Sequence, residues 1–218
     1  MFSFVEKCKN IIYRLFKPCS GKVFTFSNQK CYDTENTNIK LIRERGLNMN
    51  YESVLNKVNE IRKKYNLSSV PVDLSSIIES ENITVKVTDL SQLERRAGRK
   101  ISGLITIEKE KENKIILINS CDAETRRKFT LAHELGHYFL HTDNNPNENV
   151  IISFRGLNNQ REREADWFAT ALIMPEDKVK EEYNKAFIPS INYLAKIFEV
   201  SPTAMSIRLR ELGLIGIG

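Results

Sequence analysis

All three histidines of the chain lie four residues apart in one stretch, at His133, His137 and His141. Positions i and i+4 are neighbours on one face of an α-helix, so His133 and His137 can direct ring nitrogens at one ion about 2.0–2.1 Å away. Glu134 completes the pattern His-Glu-x-x-His, in which the glutamate is not a ligand. It accepts a proton from water that the metal activates and passes it to the leaving amine. The stretch therefore predicts the metal-binding helix of a zinc peptidase.

The neighbours of the histidines favour a metal site over a chance match on an amphipathic helix. Apolar residues cover most other faces of the predicted helix, so we expect the imidazoles to be buried. Buried imidazoles need polar partners, and three at one spacing indicate an ion. Gly136 costs about 0.8–1.0 kcal/mol relative to alanine in a helix interior. Its presence predicts that another segment approaches the helix backbone closely there.

Catalytic zinc usually takes three protein ligands and leaves a fourth position open, so a third ligand is required. His141 lies two turns beyond His133, a rise of about 12 Å on an unbroken helix, which is too far to share the ion comfortably. We therefore expect a carboxylate from elsewhere in the chain.

Residues 160–175 predict a second helix, with an apolar stripe and acidic residues near its start. Glu164 adjoins the stripe and is the predicted third ligand, with Glu162 as the alternative. Asp166 is a candidate to orient a ligating imidazole from behind, as metal-bound histidines commonly require. The competing interpretation is a solvated helix start that the macrodipole favours, and for Glu162 this interpretation is the stronger one.

Alternating patterns upstream predict strands at 83–87, 101–108 and 114–119, after helices that begin near Met49 and Pro71. Together they predict a small sheet ahead of the metal helix. Zinc peptidases commonly bind an extended substrate along an edge strand of such a sheet. We predict Gly103–Ile107 as that edge, with Gly103 as a substrate-binding candidate, and ordinary sheet packing as the alternative.

The net charge of +5 comes from the N-terminal region. Residues 1–48 hold nine Lys/Arg and four Asp/Glu, which leaves 24 of each sign in residues 49–218. Basicity therefore gives no reason to expect nucleic-acid binding by the core. Lysines and arginines interrupt every apolar run in residues 1–48, which excludes a signal peptide of the usual kind. We expect this region to be a poorly structured extension, or alternatively not to be translated.

The last thirty residues predict two helices joined by a short turn, with Ser201 as N-cap and Pro202 in the first turn. This arrangement resembles a helix-turn-helix. It raises an alternative function, a DNA-binding or protein-binding regulator whose metal site is structural. Only Lys196, Arg208 and Arg210 are cationic in the two helices, against Glu199 and Glu211, so DNA binding is not favoured.

Two segments together resemble the ImmA/IrrE family of metallopeptidases: Phe-Thr-Leu-Ala-His-Glu-Leu-Gly-His at 129–137 and Glu-Ala-Asp-x-Phe-Ala-x-x-Leu-x-Met-Pro at 164–175. The resemblance covers about Met49 to Ile215. It implies one zinc per chain on His133, His137 and Glu164, with Glu134 as general base. His141 also fits the family pattern, as a residue that lines the site. The resemblance further implies an intracellular protease that cleaves a helix-turn-helix repressor and so switches on genes, often those of a mobile element.

We therefore predict an α+β fold: a zincin-like metallopeptidase domain at 49–188 and a helix-turn-helix-like segment at 189–218. The predicted activity is zinc-dependent hydrolysis of a peptide bond in a repressor protein, which relieves repression. We expect a cytoplasmic location and no membrane partner.

Overall fold

The computed structural model describes residues 48–108, 113–142, 150–151, 160–185, 187 and 189–216. The predicted N-terminal extension therefore lies outside the described residues, apart from Asn48. As predicted, the fold mixes helices and strands. In chain order the elements are α1 (Asn48–Lys64), α2 (Ser75–Ser80), β1 (Ile83–Thr88), α3 (Ser91–Ala97), β2 (Gly103–Glu108), β3 (Asn113–Asn119), α4 (Glu124–His141), β4 (Val150–Ile151), α5 (Gln160–Ile173), α6 (Glu176–Lys185), α7 (Ile191–Phe198) and α8 (Pro202–Glu211).

The described strands form one sheet in the order β1–β3–β2–β4. β1 runs parallel to β3, and β2 runs antiparallel to β3, with Gly103 opposite Ile118. β3 lies between β1 and β2, and its four consecutive apolar residues, Ile115–Ile118, are all buried. α4 packs on β2 and β3, so the metal helix lies directly on the middle of the sheet.

The prediction that Gly103–Ile107 forms a sheet edge is wrong for part of the strand. β4 pairs antiparallel with β2, placing Ile151 opposite Ile105 and Val150 opposite Thr106. The chain after α4 thus supplies pairing partners for two of the six residues of β2. β4 and β1 are the outer strands of the described sheet.

α1 and α5 pack together, each through one apolar face. On α1 that face carries Val54, Val58 and Ile61, which follow the helical spacing and are at most 3% exposed. α4 also packs on α5, so α5 contacts both helices. No helix among the described residues is both long and apolar enough to span a bilayer.

The two C-terminal helices begin as the sequence predicts. The Ser201 hydroxyl accepts the N–H of Ala204 at 3.1 Å, and Pro202 lies in the first turn of α8. Glu199 ends α7 in a left-handed conformation with a φ of 54°. The buried apolar residues of α7 and α8 belong to the same cluster as those of α1 and α5: Leu194, Ala195, Phe198, Met205 and Leu209.

Candidate metal centre

α4 and α5 supply every predicted site residue except Gly103, and they lie unusually close at Gly136. A Cβ atom at Gly136 would lie 3.1 Å from Cα of Ala165 and 3.2 Å from its carbonyl oxygen. The predicted close approach at this glycine is therefore confirmed, and the approaching segment is α5. It brings the acidic start of α5 opposite the histidines of α4.

Three buried side chains converge between these helices. His133 Nε2 and His137 Nε2 are 3.1 Å apart. The carboxylate of Glu162 lies 3.4 Å from His133 Nε2 and 3.2 Å from His137 Nε2. Two ligands that each lie about 2.0–2.1 Å from an ion in tetrahedral geometry are about 3.3–3.4 Å apart. The three side chains therefore have the spacing of three corners of a tetrahedron around a small divalent cation.

This geometry favours Glu162 as the third ligand over Glu164, the residue predicted from sequence. The structure brings Glu162, and not Glu164, together with His133 and His137. Ala165 and Ala169 follow Glu162 by three and seven residues, so all three lie on one side of α5. Both alanines are fully buried, and Ala165 faces Gly136. The side of α5 that faces α4 therefore contains Glu162, whereas Glu164 points further round the helix. Glu162 was the alternative that the sequence left open.

Glu164 instead contacts the third histidine. Its Oε2 accepts from His141 Nε2 at 2.9 Å, and its Oε1 accepts from Asn50 Nδ2 at 2.5 Å and from Gln160 Nε2 at 2.9 Å. His141 Nδ1 lies 3.0 Å from His137 Nδ1. His141 is therefore next to the ligand set but presents no free nitrogen to it.

Asp166 contacts the other ligand imidazole. Its Oδ1 lies 2.8 Å from His133 Nδ1, the ring nitrogen opposite to the one that faces Glu162. A proton on Nδ1 leaves the lone pair of Nε2 available, so this is the contact that the predicted orienting role requires.

Burial and hydrogen bonds act in opposite directions on the pKa values of the three ligand candidates. Burial raises the pKa of Glu162, but its contacts with His133 and His137 outweigh burial and bring it to about 2. Burial lowers the pKa of His133, but Asp166 and Glu162 raise it to about 9. Burial lowers the pKa of His137. Glu162 is therefore an anion at neutral pH, and His133 would have to release a proton before its Nε2 could bind a metal.

Glu134 is buried beside these ligands, under β2. A Cβ atom at Gly103 would lie 3.1 Å from Glu134 Oε1 and 2.5 Å from Thr130 Cγ2. The charge of Glu134 also raises the pKa of His133, which places the carboxylate within electrostatic reach of the ligand set. Gly103 thus lets the strand backbone pass directly over the predicted base. Its part in substrate binding stays a prediction.

Comparison with known proteins agrees with this arrangement. A family model described as the IrrE N-terminal-like domain, peptidase family M78, matches residues 79–210. The chain belongs to this family. The matched residues include the whole sheet and both helices of the metal centre, and they extend through most of α8.

Curated relatives of this IrrE N-terminal-like protein include metallopeptidases by name. Metallopeptidase ImmA of Bacillus subtilis is 27% identical over 74% of this chain and 87% of its own length. Radiation response metalloprotease IrrE of Deinococcus radiodurans is 34% identical over 46% of this chain, but that region is only 32% of its own length. Uncharacterized immunity region protein 2 of Bacillus phage phi105 is 32% identical over 63% of this chain and 78% of its own length. The chain is accordingly a metallo-endopeptidase.

Two features of the site were missed from sequence. The pairing of Glu164 with His141 was not foreseen, although the same histidine spacing that suggested the metal had drawn attention to His141. The choice between the two glutamates had a usable signal, because Glu162 is in helical phase with Ala165 and Ala169, the small residues that a close helix contact requires.

Proposed function

We propose that this IrrE N-terminal-like protein is a zinc endopeptidase, with His133, His137 and Glu162 holding the metal and Glu134 as general base. The observation that carries the proposal is the buried set of two imidazoles and one carboxylate with tetrahedral spacing. Two histidines and a glutamate are a known donor set of catalytic zinc sites. Such a set leaves one position for water or substrate, whereas structural zinc sites use four protein ligands.

The roles of the chain's own residues follow from their contacts. When bound, zinc lowers the pKa of a coordinated water to about 7 and polarises the carbonyl of the scissile bond. Glu134 accepts the proton from the attacking water and delivers it to the leaving amine. Asp166 accepts the Nδ1–H of His133 and so keeps the Nε2 lone pair directed at the metal position.

For the substrate we propose a helix-turn-helix repressor in the cytoplasm, whose cleavage relieves repression. The family resemblance of the two site segments supports this substrate class. The names of two relatives, one for a phage immunity region and one for a radiation response, agree with a protease in a regulatory circuit.

A Glu134→Gln variant tests the proposal, because glutamine keeps the size of the side chain and removes its basicity. We expect cleavage to fall by about 10²–10⁴-fold, which is the typical contribution of general acid–base catalysis. Zinc content should stay near one per chain. When the variant is expressed in the native host and the cells are treated with a crosslinker, it should also retain the uncut repressor. The retained protein can then be identified by mass spectrometry. Cleavage at the wild-type rate would contradict the proposal.

The alternative of a helix-turn-helix regulator with a structural metal finds less support in the C-terminal helices. Arg208, one of the three cations in α7 and α8, is 2% exposed and donates its Nε–H to the carbonyl of Met174 at 3.1 Å. It is therefore not available to a phosphate group. We propose that α7 and α8 serve to pack against the protease core.

A further inference from the structure

A chain of hydrogen bonds leads from His137 to the start of α1. His137 Nδ1 lies 3.0 Å from His141 Nδ1, and His141 Nε2 lies 2.9 Å from Glu164 Oε2. The other oxygen of Glu164 accepts from Asn50 on α1 and from Gln160 on α5. His137 and His141 are 2% and 5% exposed, so solvent does not substitute for these contacts.

Only one arrangement of protons on two neutral imidazoles makes every contact a hydrogen bond while leaving His137 able to bind metal. Metal binding needs the lone pair of His137 Nε2, so the ring proton is on Nδ1. His141 Nδ1 must then accept that proton, which places the proton of His141 on Nε2. Nε2–H can donate only to an acceptor, and Glu164 is a carboxylate.

We propose that His141 and Glu164 are positioning residues that fix the orientation and tautomer of His137 for metal binding. This inference rests on the proposed zinc site. The two ligand imidazoles are then supported in different ways: Asp166 contacts His133 directly, whereas a carboxylate reaches His137 through the ring of His141. The proposal gives Glu164 a role outside the group of His133, His137 and Glu162.

The geometry of this support makes a sharp prediction about which replacements are tolerated. His141→Phe keeps a ring of similar shape and removes both nitrogens, so it breaks the chain. His141→Gln restores it, because the amide oxygen can accept from His137 and the amide N–H can donate to Glu164. Glu164→Ala removes the terminal acceptor at the partly exposed end of the chain of hydrogen bonds, where we expect truncation to leave folding intact.

The test is the dissociation constant for zinc, measured by chelator competition on the full chain and its variants. We expect His141→Phe and Glu164→Ala to bind zinc about 10–100-fold more weakly, as loss of an outer hydrogen-bonding partner typically does, and His141→Gln to stay within a few-fold of wild type. Nitrogen-15 NMR of the histidine rings in the wild-type chain should show His137 protonated at Nδ1.

Phe139→Leu is the matched control. Phe139 lies on the same helix, and its ring stacks on that of Phe168 with a centroid distance of 6.0 Å. Among the described ring contacts it has none with His133 or His137. This variant should lose stability without losing zinc affinity. Wild-type zinc affinity in both His141→Phe and Glu164→Ala would overturn the inference, and so would equal losses in His141→Phe and His141→Gln. Failure of the wild-type chain itself to bind zinc would instead reject the proposed function.

Discussion

At the scale of single residues, the site depends on two glycines that let backbone approach it. Gly136 allows α5 to reach α4, and Gly103 allows β2 to pass over Glu134. In both places a methyl group would meet atoms at 3.1 Å or less. Two of the three atoms nearest to a Cβ at Gly136 belong to the backbone, and the atoms nearest to a Cβ at Gly103 belong to buried residues. Such atoms cannot move easily to make room for a methyl group.

Gly103→Ala should therefore harm both folding and cleavage. The new Cβ would lie 2.5 Å from Thr130 Cγ2 and 3.1 Å from Glu134 Oε1, so the helix or the strand must shift. We expect a loss of about 1–3 kcal/mol in the free energy of unfolding, which is the usual cost of overpacking. We also expect slower cleavage, because the carboxylate of Glu134 moves. Denaturant titration measures the first effect, and the rate of cleavage of the proposed repressor substrate measures the second.

Gly216→Ala provides the control, since a Cβ there meets no atom within 4 Å and its φ is not in the left-handed region. It should leave stability and cleavage unchanged. A Gly103→Ala variant as stable and active as wild type would show that β2 does not press on Glu134.

The residue scale also shows what sequence could predict. His133, Glu134 and His137 follow from local spacing alone, because one helical turn sets their relation. Glu162 and Glu164 differ only in which side of α5 faces α4. That side is set by a contact between distant segments, at Gly136 and Ala165. Within α5 the contact leaves one signal, the helical phase that Glu162 shares with the small residues Ala165 and Ala169.

At the scale of secondary-structure elements, one residue, Glu81, connects α1, α2, β3 and α4. Glu81, at the end of α2, accepts hydrogen bonds from the hydroxyls of Tyr65 and Tyr138 and from Lys64 Nζ. Lys114 Nζ of β3 donates to the carbonyl oxygen of Glu81 at 2.8 Å and to the Tyr138 hydroxyl at 2.7 Å. Tyr138 follows His137 directly, so this network fixes the side of α4 turned away from the metal.

This network predicts a pH dependence of stability. Burial raises the pKa of Glu81, but the two tyrosines and Lys64 outweigh burial and bring the pKa to about 2, below its ordinary value of 4.5. A carboxylate with a lowered pKa in the folded state stabilises the fold above its unfolded pKa. Its contribution is lost as pH falls from about 4.5 through about 2.

Comparison of wild type with Glu81→Gln isolates that contribution. The wild type should be more stable at pH 7, and the difference in unfolding free energy should shrink as the pH is lowered from 5 to 2. Glu79→Gln, an exposed position on the same helix, should show no such trend. A difference between wild type and Glu81→Gln that stays constant with pH would contradict the role of Glu81.

The elements themselves were predictable to different degrees. β1, β2 and β3 follow from alternating or continuous apolar residues, and α1, α4 and α5 from helical spacing. β4 has only two residues, too few for any period, and its pairing with β2 joins segments more than forty residues apart. α3 was not predicted either, and none of its residues is buried, so it lacks the apolar stripe that identifies a helix.

At the scale of the whole molecule, α7 and α8 are part of the core of the protease. Phe198 is fully buried and lies in one apolar cluster with Leu172 of α5 and Val58 of α1. Phe198→Ala should therefore cost about 3–5 kcal/mol of unfolding free energy, as for other large buried side chains. Tyr193, which is 52% exposed on the same helix, is the control position, and Tyr193→Ala should cost far less.

For both variants, the unfolding curve from far-ultraviolet circular dichroism should coincide with the curve from hydrogen-exchange protection of the helices around the metal site. Two separate transitions, with only the later part of the chain affected by Phe198→Ala, would show that residues 189–218 fold as a unit of their own.

The central claim is that Glu162, His133 and His137 hold one metal ion and that Glu164, which is not a ligand, orients His137 through the ring of His141. Zinc per chain, measured by mass spectrometry on protein purified without chelator, tests it most directly in wild type, Glu162→Ala and Glu164→Ala. We expect about one zinc in wild type and almost none in Glu162→Ala. Glu164→Ala should still fill with zinc when the ion is in excess. Full zinc in Glu162→Ala with none in Glu164→Ala would contradict the account.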